Sequence, residues 1–281
     1  MYILCIVARV AIFAGRGRSY HACMASPRFS ILVLMALVAG EPARAAFAQA
    51  VQPAQRVPVL VELFTSEGCS DCPPADELLA QLDSRQFVLD ADAVVLSEHV
   101  TYWNHDGWRD PFSLDDVDDR QRSYVYRFGL KDSYTPEAVI DGSVQMVGNN
   151  MNAVTTAIEQ AAKSPKQQIT IENAHWEKGG ALFSVRGADS SGDHLIAALA
   201  ADSEERKVSA GENAGHTLHH VAVLRVMKDL GPKATDGHPL HLGGGGLNDK
   251  DESQGPVRLV VFLVDHKSGH VVAIAEQKLD R

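Results

Sequence analysis

Two cysteines, Cys69 and Cys72, form the motif of this sequence with the clearest chemical potential. Residues three apart on a helix lie on one face, about 5–6 Å apart, which overlaps the Cα separation that a disulfide requires. The two thiols can therefore close a ring and take part in thiol–disulfide exchange. Cys69 is the candidate nucleophile because a helix N-terminus stabilises a thiolate. Cys72, expected one turn inside the helix, is the candidate resolving thiol.

Two other interpretations of the cysteine pair stay open. The disulfide could simply staple the chain at this point, although so small a loop removes little entropy from the unfolded state. Alternatively, Cys69, Cys72 and His99 form a plausible thiolate–imidazole set for copper or zinc. The charge of Asp71, between the cysteines, opposes thiolate formation and so favours the disulfide.

The residues around the pair predict a strand, a tight turn and a helix. The apolar run Val57–Phe64 is typical of a buried strand. Residues 73–82 begin with two prolines and carry leucines at helical spacing, which indicates the start of a helix. The cysteines are therefore expected at a strand–turn–helix corner.

The same segment resembles a known family. Residues 62–76, ELFTSEGCSDCPPAD, are similar to the signature of a family of exported bacterial thioredoxin-like proteins of unknown function. The resemblance covers about residues 57–230 and implies a fold and a class of chemistry more than a substrate. Four further blocks resemble the family: Ser97–Phe112, Arg120–Arg122, Tyr134–Gly142 and Gly211–Gly215.

The resemblance also implies roles for particular residues. Thioredoxin-like folds place a cis-proline opposite the CxxC motif, which implies a cis bond before Pro136 and a substrate-facing Thr135. Glu62 resembles the buried acid that helps to deprotonate the resolving cysteine, and its alternative is a solvent-facing position with no role. Trp103 and Trp108, in an aromatic loop, either contact an extended apolar substrate or form a small core under an inserted helix.

The pattern of the remaining chain predicts two domains. Residues 56–164 are predicted to form an α/β thioredoxin-like domain, with a strand over 93–100, a helix over 115–127, a hairpin turn at 141–143 and a helix over 149–163. Short alternating runs after Pro165 predict a mainly antiparallel β-sandwich over 166–281, with a loop over 231–255. Within it, His219 and His220 alternate along a strand and are expected to face opposite sides as surface or hydrogen-bonded residues.

The first fifty residues predict a signal peptide. Arg28 precedes the apolar run 29–40, and small-residue cleavage sites follow at Ala45 and Ala50. This pattern begins at Met24, which favours Met24 as the start of translation. We therefore expect a periplasmic or secreted protein with no stable membrane span after signal cleavage.

The charge balance restricts the partners. The 281 residues contain 26 Lys and Arg against 36 Asp and Glu, a net charge of −10, which argues against nucleic-acid binding through phosphate neutralisation.

Taken together, these features predict an exported thiol–disulfide oxidoreductase or redox-partner protein with a protein thiol or disulfide partner and no cofactor besides its redox-active disulfide. The alternatives are a copper or zinc chaperone and a non-enzymatic binding module with a structural disulfide.

Overall fold

The computed structural model describes residues 56–105, 107–187, 192–232, 234–244, 247 and 255–281. These residues belong to one compact unit. The predicted signal peptide, its cleavage sites and Met24 lie outside the described residues. Within the described part, no helix is long and apolar enough to cross a membrane.

The described chain contains three helices and eleven strands. In chain order they are β1 (Val57–Thr65), α1 (Pro73–Arg85), β2 (Ala91–His99), α2 (Asp115–Phe128), β3 (Glu137–Ile140), β4 (Val144–Val147), α3 (Met151–Ala161), β5 (Ile169–Glu177), β6 (Gly180–Gly187), β7 (His194–Lys207), β8 (Thr217–Asp229), β9 (Leu240–Gly243), β10 (Val257–Val264) and β11 (Val271–Leu279).

The fold is a mixed α/β arrangement with a large sheet. Eight strands form it in the order β11-β10-β7-β8-β2-β1-β3-β4, and β5-β6-β9 form a second sheet. β1 runs parallel to β2 and antiparallel to β3. Its apolar run is buried from Val59 onward, as expected for a strand with neighbours on both edges and layers on both faces.

The helix ends follow local sequence signals. α1 has prolines at its first turn and Asp76 beside its N-terminus, where the helix dipole favours a negative charge. α2 carries three aspartates in its first turn, and Gly129 ends it in the left-handed conformation that glycine adopts without strain. The predicted helices and the hairpin turn between β3 and β4 are all present, within a few residues of their predicted bounds.

The two faces of the large sheet carry different helices. Val61 and Leu63 of β1 line one small internal gap together with the leucines of α1. The alternate residues Glu62 and Phe64 contact Tyr124 of α2 on the other face. Because side chains alternate along a strand, this register decides which face each polar residue of β1 and β2 occupies.

The sequence predicts a separate sheet domain for the second half of the chain, whereas four strands of this half continue the large sheet. β7, β8, β10 and β11 join the same sheet as β1–β4, and β8 pairs with β2 at Ser97 and Val223. The three-stranded sheet packs over β7 and β10, with Phe183 and Leu199 in their shared core. The sheet therefore continues across the predicted boundary at 164–166. The predicted loop 231–255 also contains a short strand, β9, that pairs with β6.

Candidate active site

Cys69 and Cys72 form a disulfide at the start of α1, with their Cα atoms 5.4 Å apart. The helix begins at Pro73, and Cys72 is its N-cap residue. Cys72 is therefore not one turn inside the helix, as the spacing suggested, and Cys69 precedes the helix in a turn. Both cysteines are buried, with 1% and 0% of their surface exposed. The burial of Cys69 is unexpected for an attacking thiol.

A hairpin from the second half of the chain contacts the turn that holds the disulfide. β7 and β8 are joined by residues 208–216, here called the β7–β8 tip, which lie against the turn that holds the cysteines. The side-chain amide of Asn213 donates hydrogen bonds of 2.9 Å to the carbonyls of both Glu67 and Cys69. The Glu212 carboxylate accepts a 3.1 Å hydrogen bond from the backbone N–H of Ser70.

The aromatic loop links the cysteine turn to the predicted cis-proline. The Thr135–Pro136 peptide bond is cis, as the resemblance implied. Trp103 donates a 2.7 Å hydrogen bond from its indole N–H to the Thr135 hydroxyl. It also lies against Gly68, where an added Cβ would approach Trp103 atoms to 3.1 Å, so a side chain at position 68 would force this contact to shift. Trp108 donates a 2.9 Å hydrogen bond to the carboxylate of Glu67.

The cis-proline loop reaches the first turn of α1. Pro136 and Ala75 both lie within 3.4 Å of the position that a Cβ on Gly148 would occupy. Since Ala75 is three residues after Cys72, the disulfide, Trp103 and the cis-proline belong to one neighbourhood. The predicted supporting residues Thr135 and Pro136 and the substrate-contact candidate Trp103 are thus brought together.

A buried histidine–carboxylate cluster lies on the α1 face of the sheet. Its members, all at most 6% exposed, are Glu67, Asp76, His99, Asp110 and His220. The rings of His99 and His220 meet edge to face, with centroids 4.7 Å apart. His220 has its Nε2 3.5 Å from Glu67 and its Nδ1 3.8 Å from Asp76. Among the described residues, neither ring nitrogen of His220 and neither carboxylate oxygen of Asp76 has a hydrogen-bond partner.

The pKa values of the two aspartates in this cluster are shifted in opposite directions. Burial raises the pKa of Asp76 to about 6, and the charge of His220 offsets part of that effect. Burial acts in the same sense on Asp110, but the ion pair and hydrogen bond with His99 and two backbone N–H donors outweigh it and lower the pKa of Asp110 to about 2. Asp110 is therefore a fixed anion, whereas Asp76 can exchange a proton near neutral pH.

Glu62 takes neither of its two expected positions. It is fully buried, but it lies under α2, on the face of the sheet opposite α1. Its carboxylate accepts hydrogen bonds from Arg120 Nε at 2.5 Å and from the Tyr124 hydroxyl at 2.6 Å. Burial and the neighbouring Glu62 raise the pKa of Glu98 on the same face. The sheet thus separates Glu62 from α1, and a proton-transfer role at Cys72 does not fit this position.

The residues of the metal alternative are engaged in other bonds. His99 uses its Nδ1 with Asp110 at 2.7 Å and its Nε2 with Ser97 at 3.2 Å. Both sulfurs are in the disulfide. The structure does bring three ligand-type side chains within 4.8 Å of one another elsewhere, and these are Asp193, Asp265 and His266.

Sequence reasoning missed Asp76, His220 and Asn213. Asp76 stands four residues after Cys72, a spacing that places it on the same helix face. The sequence predicts that His219 and His220 face opposite sides of a strand, and the structure buries His220 while leaving His219 exposed. Asn213 lies within the block Gly211–Gly215 that resembles the family, but nothing local indicates that this block reaches the cysteines.

Comparisons with known proteins identify a family and a fold. Residues 60–263 match the model of a family described as protein of unknown function, DUF1223. A crystal structure of a protein from Agrobacterium tumefaciens, from a structural genomics consortium, is similar in fold, with a TM-score of 0.58 and 21% sequence identity. The similarity covers 79% of this chain and 94% of that one. No curated protein matches.

Proposed function

The chain belongs to the DUF1223 family of proteins of unknown function, and we propose that it is an exported thiol–disulfide oxidoreductase or redox-partner protein. The observation that carries the proposal is the Cys69–Cys72 disulfide at the start of α1, in one neighbourhood with a cis-proline and with a buried carboxyl of raised pKa. Its partner is a protein thiol or disulfide, and its cofactor is the disulfide itself.

We further propose that residues 56–164 are a thioredoxin-like domain and that the strands of 166–281 form a β-sandwich that selects the partner. The order β1-α1-β2 followed by β3-β4-α3 supports the first assignment. The packing of β5-β6-β9 on β7 and β10 supports the second. We also propose export by the predicted signal peptide to the periplasm or the outside of the cell, where a disulfide persists.

The reduction of the disulfide follows from the chemistry of the pair. A thiolate of a dithiol partner attacks Cys69, the Cys69–Cys72 bond breaks, and its electron pair goes to the Cys72 sulfur, which takes up a proton. The second thiol of the partner, as a thiolate, then displaces Cys69 from the mixed disulfide. The partner leaves with a disulfide, and this protein keeps two thiols. The reverse sequence reduces a disulfide partner and restores the Cys69–Cys72 disulfide.

Asp76 and His220 are the proposed source of the proton that Cys72 takes up. Asp76 follows Cys72 by about one turn, and its backbone N–H donates a 3.1 Å hydrogen bond to the Cys72 carbonyl. With a pKa of about 6, it holds a proton for part of the time near neutral pH. His220, between Asp76 and Glu67, can relay or share this proton. This pair takes the role that the resemblance assigned to Glu62.

Trapping of the mixed disulfide tests the proposal. Purified Cys72→Ser protein, incubated with a disulfide-bonded glutathione probe, should accumulate a mixed disulfide through Cys69, because no resolving thiol remains. Cys69→Ser should accumulate much less, and Cys69→Ser/Cys72→Ser should accumulate none. Equal trapping by the two single variants would refute the assignment of roles.

The same proteins separate the alternatives. A wild-type disulfide that exchanges with no thiol in the native protein would indicate a structural staple in a binding module. Stoichiometric uptake of Cu(I) or Zn(II) by the reduced protein, abolished by His99→Ala, would favour the metal chaperone. We favour the redox function because both ring nitrogens of His99 already have partners.

A further inference from the structure

The β7–β8 tip is tied to the cysteine turn by side chains of its own. Hydrogen bonds from Val208 to His216 and from Gly215 to Val208 close the tip as a compact loop. Asn213, 6% exposed, is the buried residue at its centre. The tip belongs to a hairpin whose second strand also carries His220, so one hairpin supplies both the contacts with the cysteine turn and a member of the buried cluster.

The contact of Asn213 depends on its amide group. A single side-chain nitrogen donates to the carbonyls of Glu67 and Cys69, one on each side of Gly68. Only a donor with two hydrogens satisfies both carbonyls at once. An aspartate of the same shape carries acceptors alone and would face those carbonyl oxygens with a negative charge.

The contact of Glu212 acts on the charge near Cys69. Its carboxylate accepts from the Ser70 N–H, which belongs to the residue directly after Cys69. Backbone N–H groups at this end of the helix are the groups that would stabilise a Cys69 thiolate. Glu212 occupies one of them and adds a negative charge to those of Glu67 and Asp71, which favours the disulfide over the dithiol.

We propose that Asn213 and Glu212 are positioning residues that control the redox reaction of Cys69 from the β7–β8 tip. Asn213 keeps Cys69 covered, so a partner thiol reaches the sulfur only when the tip detaches. Glu212 shifts the equilibrium toward the oxidised form. This inference rests on the proposed redox function and adds to it the element that regulates access to the disulfide.

Reduction kinetics and redox equilibria of four variants test the inference. The rate of disulfide reduction by dithiothreitol should rise about tenfold in Asn213→Asp and in Asn213→Ala, because two hydrogen bonds that hold the tip are lost. In glutathione buffers, Glu212→Gln should raise the equilibrium ratio of dithiol to disulfide about twofold to fivefold, as expected for an exposed charge. The matched control is Glu205→Gln, on the same hairpin, where the exposed Glu205 pairs with His219.

The outcomes distinguish this inference from the proposed function. Rates for both Asn213 variants equal to those of Glu205→Gln, with an unchanged equilibrium for Glu212→Gln, would overturn the role of the tip while the redox function stands. A wild-type disulfide that no thiol reduces in the folded protein would overturn the proposed function and this inference with it. Glu212→Gln keeps the test valid if an Asn213 variant does not fold, because Glu212 is exposed.

Discussion

Asp76 couples the folding of this protein to pH. Its pKa is raised from 3.8 to about 6 by burial, so the folded state binds a proton more tightly than the unfolded chain does. Stability from this group is therefore complete below about pH 4 and falls as the pH rises to about 6, by about 3 kcal/mol in order of magnitude.

Asp76→Asn should remove this pH dependence, because an amide stays neutral. Relative to wild type, the variant should gain up to about 3 kcal/mol of unfolding free energy between about pH 4 and pH 7. Urea unfolding of both proteins at the two pH values measures the difference. The pH-dependent contributions of the other buried acids cancel in this difference, because both proteins contain those acids. An equal difference between the proteins at both pH values would contradict the raised pKa.

Asp71 acts on the redox equilibrium from an exposed position between the cysteines. Asp71→Asn should raise the ratio of dithiol to disulfide about twofold to fivefold, since a negative charge beside a forming Cys69 thiolate is removed. Equilibration in glutathione buffers, followed by alkylation and a gel-shift assay, measures the ratio. The control is Glu159→Gln, which removes an exposed acid from α3. Equal changes in the dithiol-to-disulfide ratio for Asp71→Asn and Glu159→Gln would show that the charge beside Cys69 has no special influence.

At the scale of elements, Arg258 anchors the end of α1 to the sheet. This residue of β10 is 3% exposed, and its guanidinium donates to both carboxylate oxygens of Asp83, at 2.5 and 2.8 Å. It also donates to Asp202 of β7, at 2.5 Å. One buried cation thus joins a helix of the first half of the chain to two strands of the second.

Arg258→Ala should lower the unfolding free energy by about 3–5 kcal/mol, because it leaves the partly buried carboxylate of Asp83 without its cation and leaves Asp202 with Lys278 alone, 2.8 Å away. Arg122→Ala is the matched control, since Arg122 forms an exposed pair with Asp119 on α2. The control should cost at most about 1 kcal/mol. Urea unfolding of both variants decides the question, and similar losses would show that the Arg258 bridge carries no special weight.

At the scale of the whole molecule, β8 joins the two halves of the chain. It lies between β7 and β2 in the large sheet. β8 belongs to the predicted second domain and β2 to the predicted first, so the two predicted domains share one sheet. If the two halves separated, the pairing between β2 and β8 would be lost and each of these strands would become an exposed edge. This arrangement favours unfolding as one cooperative unit.

Tryptophan fluorescence can test this cooperativity in each half. Trp176→Phe keeps the reporters Trp103 and Trp108 near the disulfide, whereas Trp103→Phe/Trp108→Phe keeps Trp176 in β5. In each variant, the fluorescence midpoint in urea should coincide with the midpoint from circular dichroism. Two separated transitions would instead support independent domains at 56–164 and 166–281.

Local sequence was sufficient for much of the fold and for the cysteine pair. The apolar run of β1, the prolines after Cys72 and the Asp-Gly turn after β3 act over a few residues, so their consequences are local and readable. The helices and the hairpin lie where these signals predict them. A family resemblance, not a local rule, supplied the cis bond before Pro136.

Tertiary structure decided which residues meet at the disulfide. An apolar alternation indicates that a strand is half-buried, but it does not specify the neighbouring strand or which face lies under which helix. For this reason the sequence left the face of Glu62 open between a core position beside Cys72 and a solvent-facing one, and the approach of His220 and Asn213 could not be foreseen. The pairing of β2 with β8, which are more than a hundred residues apart in the chain, places His220 and Asn213 beside the cysteines. The hydrogen bonds of a sheet join distant segments, and the local sequence does not indicate which segments they join.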